Sequence, residues 1–122
     1  RGARFGYIIS SNAMPLLDEF VEVGIDVVIG VDPAAWDLQA TKEILGNKVC
    51  IWGGVNGHLT VEQGSQAKIR EEVRFAMQQL SPGAGFVLSP VDNVREYSSS
   101  IKENVATMID EWQQLAASES KE

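Results

Sequence analysis

The feature that most constrains the fold is a short, almost wholly apolar run at residues 25–31. Its sequence is Ile-Asp-Val-Val-Ile-Gly-Val, with three β-branched residues at its centre. Runs of this kind are typical of strands that are buried on both faces, as in parallel sheets. The run therefore predicts one strand of a parallel sheet.

Three further apolar runs, at residues 5–10, 48–52 and 86–89, also predict strands. A stretch with apolar residues at helical spacing follows each of the four strands. Gly24 is placed to end the first helix, and Asp37 is placed to begin the second. Four βα units in this order predict an α/β fold in which helical crossovers join parallel strands.

Local motifs mark the ends of the later elements. The glycines of residues 53–57 predict a loop after the third strand, and residues 60–63 predict a short turn. Ser65 is placed to open the third helix. Ser100 and Glu103 have the spacing of a capping box at the start of the fourth.

Length and composition indicate one domain and exclude several classes of partner. The 122 residues support a single (βα)4 domain at residues 1–115, with a polar tail at residues 116–122. The formal net charge is -7, which would repel the phosphates of nucleic acid. No apolar run approaches the roughly 20 residues that cross a bilayer, and the chain does not open like a signal peptide. One cysteine excludes an internal disulfide and predicts a reducing cytoplasm.

Four βα units fit two architectures, a small doubly wound sheet of the flavodoxin type or part of a (βα)8 barrel. In both, function lies at the carboxyl ends of the strands. The candidate loops are therefore residues 10–12, 30–36, 52–58 and 89–93. No Asp-x-His-x-x-Gly motif or Ser/Thr-rich phosphate cradle is present, so a flavin- or cobalamin-binding flavodoxin-like domain is the less favoured alternative.

These loops supply the candidate catalytic residues. His58 is the only imidazole, and it is either a general acid or base or an exposed loop residue. Asp32 and Asp92 are candidate catalytic carboxylates, with turn formation as the alternative. The candidate substrate-binding residues are polar groups, together with glycines whose N–H groups can approach an anion or simply form a tight turn. They are Asn56, Gly53, Gly54, Ser10, Asn12 and Asn93.

Three other reactive or aromatic residues are assigned mainly to the structure. Cys50 lies in the middle of a strand and is predicted to be a buried thiol. Trp112 falls on the apolar stripe of the last helix and is predicted to lie in the core. Trp36 is predicted either to stack on a planar substrate or to cover the start of a helix.

A family resemblance extends over roughly residues 5–112. The segments that carry it, in order, are residues 24–33, 46–55, 59–64, 69–74, 83–89 and 102–104. This series resembles the C-terminal half of the uroporphyrinogen decarboxylase superfamily, which includes that decarboxylase and the methylcobamide-dependent methyltransferases. The resemblance implies a (βα)8 barrel, of which these units would be the last four.

The methyltransferase branch has a His-x-Cys-Gly motif whose His and Cys bind a thiol-activating zinc. In this chain the corresponding positions are Ile8 and Ser10, and the third ligand falls near Asp92. Ile8 cannot bind a metal and Ser10 is a poor zinc ligand. We therefore predict no metal site of this kind, unless different residues build it.

The decarboxylase motifs also differ from this sequence. Residues 52–57 and 89–93 stand where that branch has Gln-Gly-Asn-Leu-Asp-Pro and Gly-His-Gly. Its key aspartate and its carboxylate-binding arginines belong to an N-terminal half that this chain lacks. The chain is most similar to divergent members linked to O-demethylation, in which a methyl group passes from a small molecule to a corrinoid protein. No cofactor is assigned to the chain itself.

Two alternatives remain open. One is a carboxy-lyase of the decarboxylase type, and the other is a non-catalytic half-barrel that self-associates. A half-barrel leaves its first and last strands as open edges that invite pairing. We therefore expect either a homodimer or pairing with an N-terminal half-barrel.

Overall fold

A computed structural model describes residues 2–9 and 11–119, and its strands and helices alternate along the chain. The strands are β1 (Gly6–Ile8), β2 (Val27–Val31), β3 (Cys50–Asn56) and β4 (Phe86–Val91). The helices are α1 (Leu17–Val23), α2 (Leu38–Leu45), α3 (Gln66–Leu80) and α4 (Ser99–Glu119). A 3-10 turn (Met14–Leu16) precedes α1, and a π-helical segment (Gly57–Glu62), here called the π segment, follows β3. The predicted α/β order is confirmed.

The four strands form one parallel sheet in the order β1-β2-β3-β4. Each strand therefore pairs with the next strand in sequence. Right-handed crossovers between such strands place every helix on the same face of the sheet. A doubly wound sheet instead reverses its strand order at a switch point. The observed order is consistent with half of a (βα)8 barrel.

The core lies between the helices and one face of the sheet. Val28 and Ile51 point into it and are fully buried. The strand register aligns a row of apolar residues on the opposite face, across all four strands: Ile8, Ile29, Trp52 and Val87. Ile8 is 74% exposed and Trp52 is 39% exposed. No helix covers this side in the described part of the chain, and we call it the uncovered face.

Several helix ends follow the predicted chemistry. The side chains of Asp37 and Ser65 each accept a hydrogen bond from the backbone N–H three residues later, at 3.0 and 3.1 Å. Gly24 ends α1 in the left-handed conformation, with φ of 82°. The prediction for the start of α4 was wrong by two residues, because the capping serine is Ser98 and not Ser100. The Ser98 hydroxyl accepts the N–H of Ile101 at 3.2 Å, so the helix begins before the predicted box.

The predicted end of β3 was also wrong. The strand does not stop at Trp52 but continues to Asn56, which is aligned with Val91 of β4. Gly53 permits this extension, because a Cβ atom there would lie 2.6 Å from the carbonyl oxygen of Val31. The π segment then occupies the place where a short turn was expected.

The two structural tryptophans differ in burial. Trp36 is buried, and its indole N–H donates to the carbonyl of Ser11 at 3.1 Å. Trp112 is 41% exposed, so its assignment to the core was wrong. The buried stripe of α4 includes Asn104 and Met108, and Trp112 lies at the edge of that stripe.

Cys50 is only partly buried, whereas the sequence predicted a buried thiol. Burial raises the pKa of its thiol above the ordinary value. None of the helices in the described residues has the length and hydropathy needed to span a membrane.

Candidate functional site

Two predicted site residues meet at the carboxyl ends of adjacent strands. Asp32 follows β2 directly, and Asn56 is the last residue of β3. The side-chain amide of Asn56 donates to both carboxylate oxygens of Asp32, at 3.1 and 3.0 Å. One of these oxygens also accepts the N–H of Ala34 at 2.9 Å. The carboxylate therefore holds a strand end and a turn together.

Glu72 of α3 extends this pair into a network. One of its carboxylate oxygens accepts the backbone N–H of Asn56 at 2.7 Å, and the other accepts the hydroxyl of Thr60 at 2.5 Å. The Asn56 side-chain oxygen accepts the N–H of Leu59 at 2.6 Å. The network ties the π segment to β3 and α3. Sequence reasoning missed Glu72, although it directly precedes the buried Val73 in the apolar stripe of α3.

A second pair, His58 and Glu62, lies one turn apart within the π segment. His58 Nδ1 and a Glu62 carboxylate oxygen are 3.4 Å apart. The other Glu62 oxygen accepts the backbone N–H of Arg95 at 2.9 Å. The Glu62 side chain is only 8% exposed, whereas that of His58 is 66% exposed. The imidazole of His58 is therefore exposed to solvent, while the carboxylate that it contacts is nearly buried.

The pKa of Glu62 is lowered from its ordinary value. The main cause is the hydrogen bond from the Arg95 backbone; the hydrogen bond and charge of His58 and the charge of Arg95 also lower this pKa. These effects outweigh desolvation, which acts in the opposite direction. Glu62 is therefore an anion at neutral pH, and it can orient the imidazole when Nδ1 carries the proton.

His58 and Glu62 line one cavity of about 250 Å³ together with Asp92, Asn93 and Arg95. The structure therefore brings three predicted residues together: His58, Asp92 and Asn93. Asp92 has a φ of 65°, which is uncommon for a residue other than glycine. Such conformations are found mostly at turns and functional sites.

The predicted residues do not all share this cavity. Asn56 lines a separate cavity of about 320 Å³ beside α3, together with Glu72 and Lys68. Asp92, Asn93 and Arg95 also line a third cavity, of about 360 Å³, that lies over the uncovered face. The site thus has an Asp32–Asn56 network on one side and a His58–Asp92 cavity on the other.

The remaining predicted residues have clear structural contacts. Asn12 accepts the N–H of Met14 at 2.9 Å and starts the 3-10 turn. Gly53 and Gly54 are buried, and a Cβ atom on Gly54 would lie 3.0 Å from the side chain of Ala76. These contacts account for the asparagine at position 12 and the glycines at positions 53 and 54 without a bound ligand. Ser10 lies outside the described residues, and a role in substrate binding remains a prediction for all four positions.

The site does not fit a zinc ion of the methyltransferase type. Ile8 is a hydrocarbon side chain on the uncovered face. Among residues 2–9 and 11–119, no three His, Cys, Asp or Glu side chains converge as a metal site would require.

Comparisons with known proteins agree with the fold. The structure matches a methyltransferase from Methanosarcina mazei with a TM-score of 0.75 and 20% sequence identity. The match covers 94% of this chain and 32% of that protein, so the chain spans about a third of its length. A search of curated proteins finds no match. The family model for uroporphyrinogen decarboxylase (URO-D) matches residues 5–114, which is most of the chain. The chain therefore belongs to the uroporphyrinogen decarboxylase family.

Proposed function

We propose that the chain forms the last four βα units of a (βα)8-barrel enzyme, and that the enzyme transfers a methyl group from a small organic substrate to a corrinoid protein. The observation that carries the proposal is the His58–Glu62 pair, placed with Asp92 at the carboxyl ends of β3 and β4. This end of the strands carries the active site in barrel enzymes. The fold shared with a methyltransferase supports the choice of methyl transfer.

The chemistry needs a proton donor beside the substrate. When a methyl group leaves an oxygen atom, the carbon–oxygen bond breaks and the oxygen keeps the electron pair. Protonation of that oxygen stabilises the leaving group, which is general acid catalysis. His58 is exposed to the cavity, and Glu62 holds its Nδ1 side. The side-chain nitrogen of Gln63 lies 3.3 Å from His58 Nε2 and can only donate to it. In the proposal, this amide turns away, and protonated His58 gives its Nε2 proton to the leaving oxygen.

The corrinoid would supply the nucleophile that accepts the methyl group, and in this proposal a partner protein carries it. In this proposal the chain itself does not bind the corrinoid, and it needs only a cavity that the corrinoid protein can reach. The exposed His58 and Asp92 border this cavity.

Asp32, Asn56 and Glu72 act as positioning residues in this proposal. Their hydrogen bonds hold both ends of the first turn of the π segment, which carries His58. A displacement of about 1 Å at a catalytic group is enough to lower a rate substantially. The network therefore contributes to activity without touching the substrate.

The test uses the protein that carries this chain, with a methoxylated aromatic compound and a reduced free corrinoid, and measures the demethylated product by chromatography. His58→Gln should lower the rate about a hundredfold or more, because one general acid contributes roughly that much. Gln78→Ala, on the exposed side of α3, is the control and should keep the wild-type rate. Loss of carbon dioxide from a carboxylated substrate, without demethylation, would contradict the proposal and support a carboxy-lyase.

The uncovered face bears on how the barrel is completed. Ile8, Trp52 and Val87 are exposed there, and β1 and β4 have free edges in the described sheet. We propose that further βα units of the same polypeptide cover this face, since the matched methyltransferase is about three times longer than the aligned segment. Sedimentation of the isolated chain provides the test. If the isolated chain forms a complex with a separately expressed N-terminal half, the proposal is supported. If it forms a stable dimer and no such complex, self-association is favoured instead.

A further inference from the structure

Gln63 contacts the ring nitrogen of His58 that the pair with Glu62 leaves free. The side-chain nitrogen of Gln63 lies 3.3 Å from His58 Nε2, while His58 Nδ1 lies 3.4 Å from a Glu62 oxygen. The side chain of His58 is 66% exposed, so packing does little to fix its ring. The two nitrogens are instead held by the residues four and five positions later in the chain.

The π segment explains how both residues reach one imidazole. In an α-helix, which has 3.6 residues per turn, a residue five positions later lies about 140° around the axis and points away. A π-helix instead brings residues five positions apart together. The segment Gly57–Glu62 has this rarer geometry, and Gln63 follows it directly. Single π turns are frequent at functional sites.

The two contacts require the same position for the imidazole proton. An amide nitrogen carries two hydrogens and can only donate, so His58 Nε2 must be the acceptor. Glu62 is an anion at neutral pH and can only accept, so Nδ1 must carry the hydrogen. A neutral imidazole with its proton on Nδ1 satisfies both partners, whereas the other tautomer satisfies neither.

We propose that Gln63 is a positioning residue for His58, which holds the neutral imidazole with its proton on Nδ1 and turns its amide over when Nε2 is protonated. Nε2 takes a proton from solvent with its lone pair, and it then becomes a donor that can no longer accept from the amide. The terminal torsion of glutamine is broad and roughly two-fold, so rotation can present the amide oxygen to the new N–H group. One side chain thus serves both proton states of the ring.

This proposal rests on the proposed function, because methyl transfer is what gives the Nε2 proton its use. The charged groups that line the same cavity as His58 are Glu62, Asp92 and Arg95. Glu62 faces Nδ1, and neither Asp92 nor Arg95 forms a hydrogen bond or ion pair with the imidazole in the described part of the chain. Gln63 is therefore the side chain to change at Nε2.

The first test measures the tautomer of His58 by long-range ¹H–¹⁵N NMR of the protein that carries this chain. The signal that disappears in His58→Gln identifies the ring. At pH 9, well above the ordinary range of histidine titration, Nδ1 should give the shift of a protonated nitrogen and Nε2 that of an unprotonated one. A ring with its proton mainly on Nε2 would overturn the proposal, and this result needs no variant of Gln63.

Variants of Gln63 test its own contribution. Gln63→Leu removes the donor, and the ratio of the Nδ1–H to the Nε2–H tautomer should fall about fivefold, as expected for the loss of one hydrogen bond. Gln63→Glu replaces the donor by an acceptor, so the imidazole should stay doubly protonated to a higher pH than in the wild type. Gln78→Leu, on the exposed side of α3, is the matched control and should keep the wild-type ratio. An unchanged ratio in Gln63→Leu, an unchanged titration in Gln63→Glu, or an equal change in Gln78→Leu would overturn the proposal.

The role of Gln63 and the methyl-transfer proposal can fail separately. If the tautomer depends on Gln63 but His58→Gln demethylates the substrate as fast as the wild type, Gln63 positions the ring and the methyl-transfer proposal fails. If demethylation requires His58 but Gln63→Leu keeps the wild-type tautomer ratio, methyl transfer stands and the role of Gln63 fails.

Discussion

Asn104 provides the most direct test of how the π segment is held in place. This residue lies on α4 and is only 8% exposed. Its side-chain amide donates to the backbone carbonyls of Val61 and Gly64, at 2.9 and 3.3 Å. Both acceptors belong to the end of the π segment and the residues after it. Replacing Asn104 by alanine removes the only donors that the side chain supplies to this region.

The expected loss follows from these two contacts. A net hydrogen bond contributes about 1 kcal/mol, whereas removal of one partner that leaves a buried acceptor unpaired costs about 1–3 kcal/mol. The Gly64 contact is long and contributes less, so Asn104→Ala should lower the free energy of unfolding by about 3 kcal/mol. Urea unfolding of the protein that carries this chain, followed by circular dichroism, measures this loss. Gln113→Ala, exposed on the same helix, is the control and should change it by less than about 0.5 kcal/mol.

A near-isosteric variant tests the reasoning further. Asn104→Asp keeps the shape, but at neutral pH the carboxylate has no donor and faces two carbonyl oxygens. It should be at least as destabilising as Asn104→Ala at pH 7. At acid pH the free energy of unfolding of Asn104→Asp should rise relative to that of Asn104→Ala, because the protonated carboxyl can donate one hydrogen bond. The reasoning would be refuted if Asn104→Ala unfolded like the wild type, or if Asn104→Asp showed no such pH dependence.

Three further predictions concern the site and β3. Glu62 has a lowered pKa in the folded protein, so its ionised form stabilises the fold above its ordinary value of 4.5, and this contribution is lost as the pH falls below that value. Glu62→Gln should therefore show a smaller decrease in melting temperature between pH 6 and pH 3 than the wild type, and an equal decrease would contradict the assignment. Asn56→Asp places a second carboxylate against that of Asp32, and should lower the free energy of unfolding by about 2 kcal/mol at pH 7. The loss should become smaller on acidification, and unchanged urea unfolding would count against the assignment. Gly54→Ala adds a Cβ atom 3.0 Å from the Ala76 side chain, at a residue whose φ is 100°. It should lower the free energy of unfolding, measured by thermal unfolding, by about 2 kcal/mol. Ala67→Gly, at an exposed position of α3, should lower it by under about 1 kcal/mol.

The fold could be predicted from the sequence because its signals are local. The continuous apolar run at residues 25–31 indicated a buried parallel strand, and β2 lies within it. Asp37 and Ser65 marked two helix starts by their capping chemistry. The end of β3 was missed because Gly53 reads as a loop residue. In the folded protein, close approach of the Val31 backbone requires a glycine at that position.

The site was only partly predictable. The carboxyl ends of the strands indicated the loops that hold His58, Asp92 and Asn93, because the position of function in a parallel sheet is a property of the fold. Glu62 was missed because its partner is the backbone N–H of Arg95, 33 residues away. Contacts of that kind leave no spacing pattern in a sequence, since the acceptor depends on a loop path rather than on a residue type.

The strand order has a consequence for how the chain acquires its structure. Because β1, β2, β3 and β4 pair in the order in which they are synthesised, each strand after β1 finds its first partner already present. Each new unit can be added to an edge that already exists, and most loop closures span a single βα unit. Short closures of this kind favour rapid folding. During synthesis, the growing sheet should therefore have a free edge at its newest strand in addition to that of β1, and pulse-labelled hydrogen exchange should show protection of β2 before that of β4.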